Sequence, residues 1–181
     1  MELEKLLREE QIRLLAGRTP VVLAISLVVS SLLSLVVWIQ SGTTDVFIWL
    51  VLVYLFLAFR VFAHLFLTPP AQGRAVGPST GNWYILLAAS SGLVWATSLL
   101  FVAPESLVEL VPVTLILCAM MGGSVSGLSS VRLAYVAYVV PVSLAQTYYF
   151  LFVFGDDVSL VLGGLIFFYM FACMYFGNSF H

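Results

Sequence analysis

The chain has 181 residues, of which 62% are hydrophobic and only 9% charged, with a net charge of −2. A water-soluble domain is about 45–50% apolar and about 25% charged, so this composition excludes a soluble globule. The seven Lys and Arg residues form no basic groove or patch, which excludes nucleic acid as a partner.

Residues 2–17 read as a short amphipathic helix. Leu3, Leu6, Leu7 and Leu14 share a face, and the pairs Glu4/Arg8 and Glu9/Arg13 have the i,i+4 order that supports a helix. Gly17 followed by Thr19-Pro20 predicts a helix stop and restart. Four acids and four bases in the first 18 residues are unlike the head of a cleavable signal peptide, so the first apolar span is expected to act as its own insertion signal.

Six apolar stretches of about 20 residues follow, each long enough to cross a bilayer core. Span one covers residues 21–39 and closes with Trp38; span two covers 46–67, with Trp49 near one end and Arg60 and His64 toward the other. Arg60 is expected to extend its stem toward the headgroups as a snorkelling anchor. Residues 68–82, rich in Pro and Gly, predict an irregular loop. Span three covers 83–103, span four 108–128, span five 133–153 with Pro141 inside it, and span six 158–177. The short connections predict tight hairpins of spans one and two, three and four, and five and six.

With the N-terminus in the cytoplasm, every Lys and Arg falls on the inner side: Lys5, Arg8, Arg13, Arg18, Arg60, Arg74 and Arg132. The opposite connections hold only Asp45, Glu105, Glu109, Asp156 and Asp157. Such a bias sets orientation during insertion, so both termini are expected inside. The expected fold is all-α and polytopic: an amphipathic helix over 1–18, a six-helix transmembrane domain over 19–178, and the start of a cytoplasmic linker at 179–181.

Two constellations stand out within the spans. Gly122, Gly123 and Gly127 form a small-residue run in span four, with G-x-x-x-G spacing between the last two, and span three has a comparable patch around Gly92. Small residues let helix backbones approach closely in lipid. The pattern fits close packing of spans three and four, or a helix that slides or unwinds at its glycines. The second constellation is Trp95, Thr114, Cys118, Gln146 and Tyr149, which reach similar depths in the outer half at about 1.5 Å rise per residue. Buried polar groups there need partners, either as interhelical hydrogen bonds or as a pocket for a small amphiphilic ligand. Pro141 frees a carbonyl nearby. Cys118 and Cys173 lie within spans, so no disulfide framework is expected. No metal, nucleophile or cofactor motif occurs, so neither catalysis nor a cofactor is expected.

Several features in order carry a resemblance. They are Glu10-Gln11-Ile12-Arg13-Leu14-Leu15, Pro20 before span one, Arg60 in span two and Gly92-Leu93-Val94-Trp95 in span three. Pro104, the Gly-rich end of span four, Ser129 and Pro141 complete the set. This pattern resembles the six-helix N-terminal membrane region of bacterial sensor histidine kinases and diguanylate cyclases. The resemblance implies residence in the bacterial inner membrane, a homodimer, and a last helix that continues into a cytoplasmic output domain in cis or acts on one in trans. The expected function is therefore an input module that detects a small hydrophobic ligand, lipid or membrane state. The alternatives are a small transporter or channel, and a passive anchor that dimerises a partner.

Overall fold

The computed structural model describes residues 2–67, 78–102, 104–128 and 131–179, all of them helical apart from short connections. Six segments are long and apolar enough to cross a membrane: Glu10–Ser41, Asp45–Phe66, Gly81–Val102, Leu107–Val125, Arg132–Phe154 and Asp157–Tyr175.

Helix α1 runs without interruption over Glu2–Ser41. The expected stop at Gly17 and restart at Pro20 is absent. Proline inside a helix costs about 3 kcal/mol, but one stripe of buried residues continues through it in register: Ile12, Leu15, Ala16, Thr19, Leu23, Ser26, Ser30, Leu33 and Val37. Breaking the helix at Pro20 would pull half of that stripe off its neighbours. Thr19 supports the local geometry by donating its hydroxyl to the Leu15 carbonyl at 2.9 Å. Gly42 ends α1 with φ of 69°, a left-handed turn that glycine enters without steric cost.

Helix α2 spans Asp45–Leu67 and packs antiparallel against α1. Its buried residues are Val46, Trp49, Val53, Leu57 and Arg60, one stripe at helical spacing. Phe47, Ile48, Val51, Leu55, Phe59 and Phe62 point outward on the other side, as lipid-facing residues would.

Span three is two helices, α3 over Pro78–Ala96 and α4 over Ser98–Val102, separated by a turn at Thr97. Of the loop expected over 68–82, residues 78–82 belong to α3, and 68–77 lie outside the described residues. Helix α5 covers Leu107–Leu128 and begins with Ser106-x-x-Glu109, where the Ser106 hydroxyl accepts the Glu109 N–H and the Glu109 carboxylate accepts the Glu105 N–H.

Helix α6 covers Arg132–Tyr148 and passes through Pro141; it ends in a π-helical segment over Tyr149–Phe154, closed by Gly155. Helix α7 covers Asp157–Ser179. Ser129 and residues 180–181, including most of the expected linker, lie outside the described residues.

Asp156 caps α7, its Oδ1 accepting the Ser159 N–H at 3.0 Å. Replacing Asp156 by alanine is expected to lower unfolding stability by about 1 kcal/mol, measured as a shift in the SDS- or heat-unfolding midpoint. Asp156→Ser should restore most of it.

The hairpins of α1 with α2, and of α6 with α7, are present as expected. The pairing of spans three and four is not. Helix α3 makes its extensive contact with α6, the helix of span five, while α5 packs against α1, α6 and α7. The reason lies at Gly92, where a Cβ would collide with the Tyr138 carbonyl oxygen and stand 3.0 Å from its Cα. Only a glycine admits that backbone approach, and it selects α6 as the partner of α3. The glycines of α5 serve other neighbours. Gly127 faces the Val22 methyl of α1, Gly122 faces the Tyr169 hydroxyl of α7, and Gly123 has open space around its Cβ position.

Candidate ligand-binding site

The open space beside Gly123 is part of a cavity of about 600 Å³. Its walls come from five of the six spans. Val22, Ile25 and Val29 of α1 form one side, Ala88 and Trp95 of α3 another, and Ile116, Ala119, Met120, Gly123, Ser124 and Gly127 a third. The α5 residues recur at three- and four-residue intervals, so a single face of that helix is given to the cavity. The volume lies within the range of about 300–1,000 Å³ typical of small-molecule pockets, and the lining is mostly apolar with a few polar groups, as such pockets are.

The polar groups converge on Arg60. It sits six residues, about 9 Å of helix rise, inside the Phe66 end of its span. Its relative exposure is 6%, because it lies on the same inward stripe as Trp49, Val53 and Leu57. The expected snorkelling anchor is thus an inward-facing cation. Snorkelling requires a side chain on the lipid side of its helix, and the register of α2 points Arg60 the other way.

Arg60 Nη1 donates to Ser91 Oγ at 2.8 Å, and Ser91 Oγ donates onward to the Leu87 carbonyl at 2.8 Å. Arg60 Nε is buried without a hydrogen-bond partner, and no carboxylate lies within ion-pairing distance of the guanidinium among the described residues. The Tyr138 hydroxyl is also buried without a partner, and Tyr138 and Arg60 line the same cavity. Arg18 also lines the cavity, and Tyr84, 3.4 Å from His64 Nδ1, lies beside Arg60 in a small cleft next to it. Trp95, which lines the cavity, meets Trp49 edge to face at 5.5 Å, and the Trp49 indole N–H donates to the Val94 carbonyl. The cavity is therefore apolar over most of its lining, with a cationic group at Arg60.

Of the five residues expected to bind a ligand, Trp95 lines this cavity. Cys118 and Gln146 meet elsewhere, with Sγ 3.8 Å from Oε1, and the Gln146 amide donates to the Val142 carbonyl. Thr114 has a buried hydroxyl without a partner, and Tyr149 is half-buried where α6 passes into its π segment. Pro141 lies within α6, and Ser143 on that helix donates to the Met121 sulfur at 3.1 Å. Residues 118, 121, 143 and 146 thus form an interhelical polar layer joining α5 and α6, which is the hydrogen-bonding account of that constellation.

Sequence reading missed Arg60, Ser91 and Tyr138 as a group. A signal existed: Arg60 is 11 residues after Trp49 and 7 after Val53, spacings that put all three on one side of a helix. Ser91 and Tyr138 carried no comparable mark. Among the described residues no three His, Cys, Asp or Glu lie close enough to hold a metal ion. No family model, characterised protein or solved structure matches this chain.

Proposed function

We propose that this chain is a membrane-embedded receptor: an input module that takes a small amphiphile into the cavity and passes its occupancy to the last helix. The observation that carries this reading is the two-sided role of α5. One face of α5 lines the cavity, while its Cys118 carbonyl accepts the Tyr169 hydroxyl of α7 at 3.0 Å and Gly122 makes room for that ring. A ligand that prefers one position of α5 therefore biases α7. To take a two-state equilibrium from 1:99 to 99:1, the ligand must favour one state by about 5.5 kcal/mol. Apolar contact along a pocket of this size, together with a buried charge interaction, supplies energies of that order.

The Lys and Arg distribution supports an orientation with both termini in the cytoplasm. In that orientation the Arg60 end of the pocket faces the inner leaflet, and α7 delivers its motion to the cytoplasm. An output domain of the histidine kinase or diguanylate cyclase type, in cis or in trans, and pairing of two copies of the chain complete the proposed arrangement in a bacterial inner membrane.

The test is to fill the pocket from within. A Cβ at Gly123 meets nothing within 4 Å, so Gly123→Phe can place its ring in the cavity without moving a helix. The chain is fused through its C-terminal end to a cyclase reporter in several linker registers. Filling is expected to shift output about fivefold or more, a bias of about 1 kcal/mol, in at least one register. Unchanged output in every register leaves only a passive anchor, and solute flux in proteoliposomes would instead make the chain a transporter.

A further inference from the structure

The pocket presents a cation that no carboxylate among the described residues neutralises. Arg60 is only 6% exposed, donates to the neutral Ser91 hydroxyl, and leaves Nε unpartnered. Tyr138, 4% exposed, adds an unpartnered O–H at the same cavity wall. A charged side chain inside a membrane protein normally faces a partner or a functional pathway. A guanidinium is a planar set of N–H donors and no acceptors, a geometry that matches the paired oxygens of a carboxylate or phosphate. Away from Arg60 the lining turns apolar, through Val29, Ile116 and Met120 toward Trp95.

From these features we propose that the ligand is a single-chain amphiphile with an acidic head, a carboxylate or phosphate monoester. Its head pairs with Arg60 and accepts the Tyr138 hydroxyl, and its acyl chain lies along α1, α3 and α5 toward Trp95. One acyl chain suits the volume of about 600 Å³; a two-chain phospholipid is too large to enter entirely. This assignment rests on the receptor reading and deepens it by naming the chemistry of what is sensed.

The experiment uses the full chain, purified into nanodiscs, and four photoreactive probes of equal chain length. They are a fatty acid, its methyl ester, the corresponding alcohol, and a lysophosphatidate. The two acidic probes are expected to label α1 and α5 peptides, with unlabelled fatty acid competing; the ester and alcohol should label far less. Whichever acid labels more strongly identifies the head, and either result supports the proposal. Arg60→Met is expected to reduce acid labelling by about 30-fold or more, the loss typical of removing one partner of a buried charge pair. Tyr138→Phe, which keeps the ring and its packing, should reduce it by about fivefold. Thermal unfolding of both variants checks that they are folded, and the Tyr138→Phe result decides the matter should Arg60→Met fail to fold. Equal labelling by alcohol and acid, or acid labelling unaffected by folded variants, overturns the acidic-head assignment. Acid-selective labelling with no effect of Gly123→Phe on output overturns the receptor reading instead and leaves the ligand class standing.

Discussion

Gly92→Leu is expected to abolish the folded bundle, and Gly92→Ala to destabilise it measurably. Two effects oppose each other in the alanine variant. Alanine is favoured over glycine inside a helix by about 0.8–1.0 kcal/mol. Against this, the new Cβ would collide with the Tyr138 carbonyl oxygen and stand 3.1 Å from its carbonyl carbon, both backbone atoms that cannot rotate away. Overpacking of this kind costs about 1–3 kcal/mol even where side chains can adjust. Here α3 and α6 must separate along their whole interface, so repulsion wins and a net loss of about 1–2 kcal/mol is expected. Leucine adds three more carbons at the same point. The measurement is the unfolding midpoint in SDS or on heating, with Gly123→Ala as the contrast, since a Cβ there meets nothing within 4 Å. Gly123→Ala should be neutral or stabilising. A Gly92→Ala variant as stable as Gly123→Ala would mean that α3 and α6 do not pack as described.

Arg60→Met is expected to make the protein more stable while removing its capacity for an acidic ligand. Placing Arg at the centre of a membrane helix costs about 2.5–3.5 kcal/mol on insertion scales, and Arg60, about 9 Å inside the Phe66 end of its span, carries part of that cost. Within the bundle it donates to the Ser91 hydroxyl, and no carboxylate lies within ion-pairing distance among the described residues. Removing one partner of a buried pair is usually damaging because the other is left unsatisfied. That does not apply here, since the Ser91 hydroxyl keeps its bond to the Leu87 carbonyl at 2.8 Å. Methionine matches the volume of the arginine stem and fills irregular space well. A gain of about 1–3 kcal/mol is therefore expected, read as a higher unfolding midpoint of the ligand-free protein. A loss of similar size would show that Arg60 holds the helices together, and its buried charge would then be structural. Stability surrendered for a binding group is a familiar pattern at functional sites.

How far the sequence could be read differs from residue to residue. The buried stripe of α2 was present in the spacing of Val46, Trp49, Val53, Leu57 and Arg60. It was obscured because the lipid-facing residues between them, such as Phe47, Val51 and Leu55, are equally apolar. In water an amphipathic helix declares its inner face by contrast with polar residues; in lipid that contrast disappears. The same loss explains Pro20. Read locally, Gly17 and Thr19-Pro20 mark a break, and only the continuous contact of α1 with α2 and α5 shows why the helix carries on.

The glycines make the point most clearly. Gly92, Gly122, Gly123 and Gly127 all advertise close approach, but not to what. One meets the Tyr138 backbone, one the Tyr169 hydroxyl, one a Val22 methyl and one a cavity. The neighbour is a property of the packed bundle.

From the sequence alone came the number of spans, their approximate limits, the all-helical class and the segregation of Lys and Arg from the acids. Each of these follows from the transfer free energy of a residue between water and hydrocarbon, which depends on its own side chain and can be summed along the chain. The tertiary structure alone decided that α3 pairs with α6, that α1 crosses its proline unbroken, and that Arg60 turns inward to a cavity with Tyr138. Those outcomes depend on van der Waals fit and hydrogen bonds between helices of nearly uniform apolarity, where side-chain shape, not hydropathy, selects the neighbour.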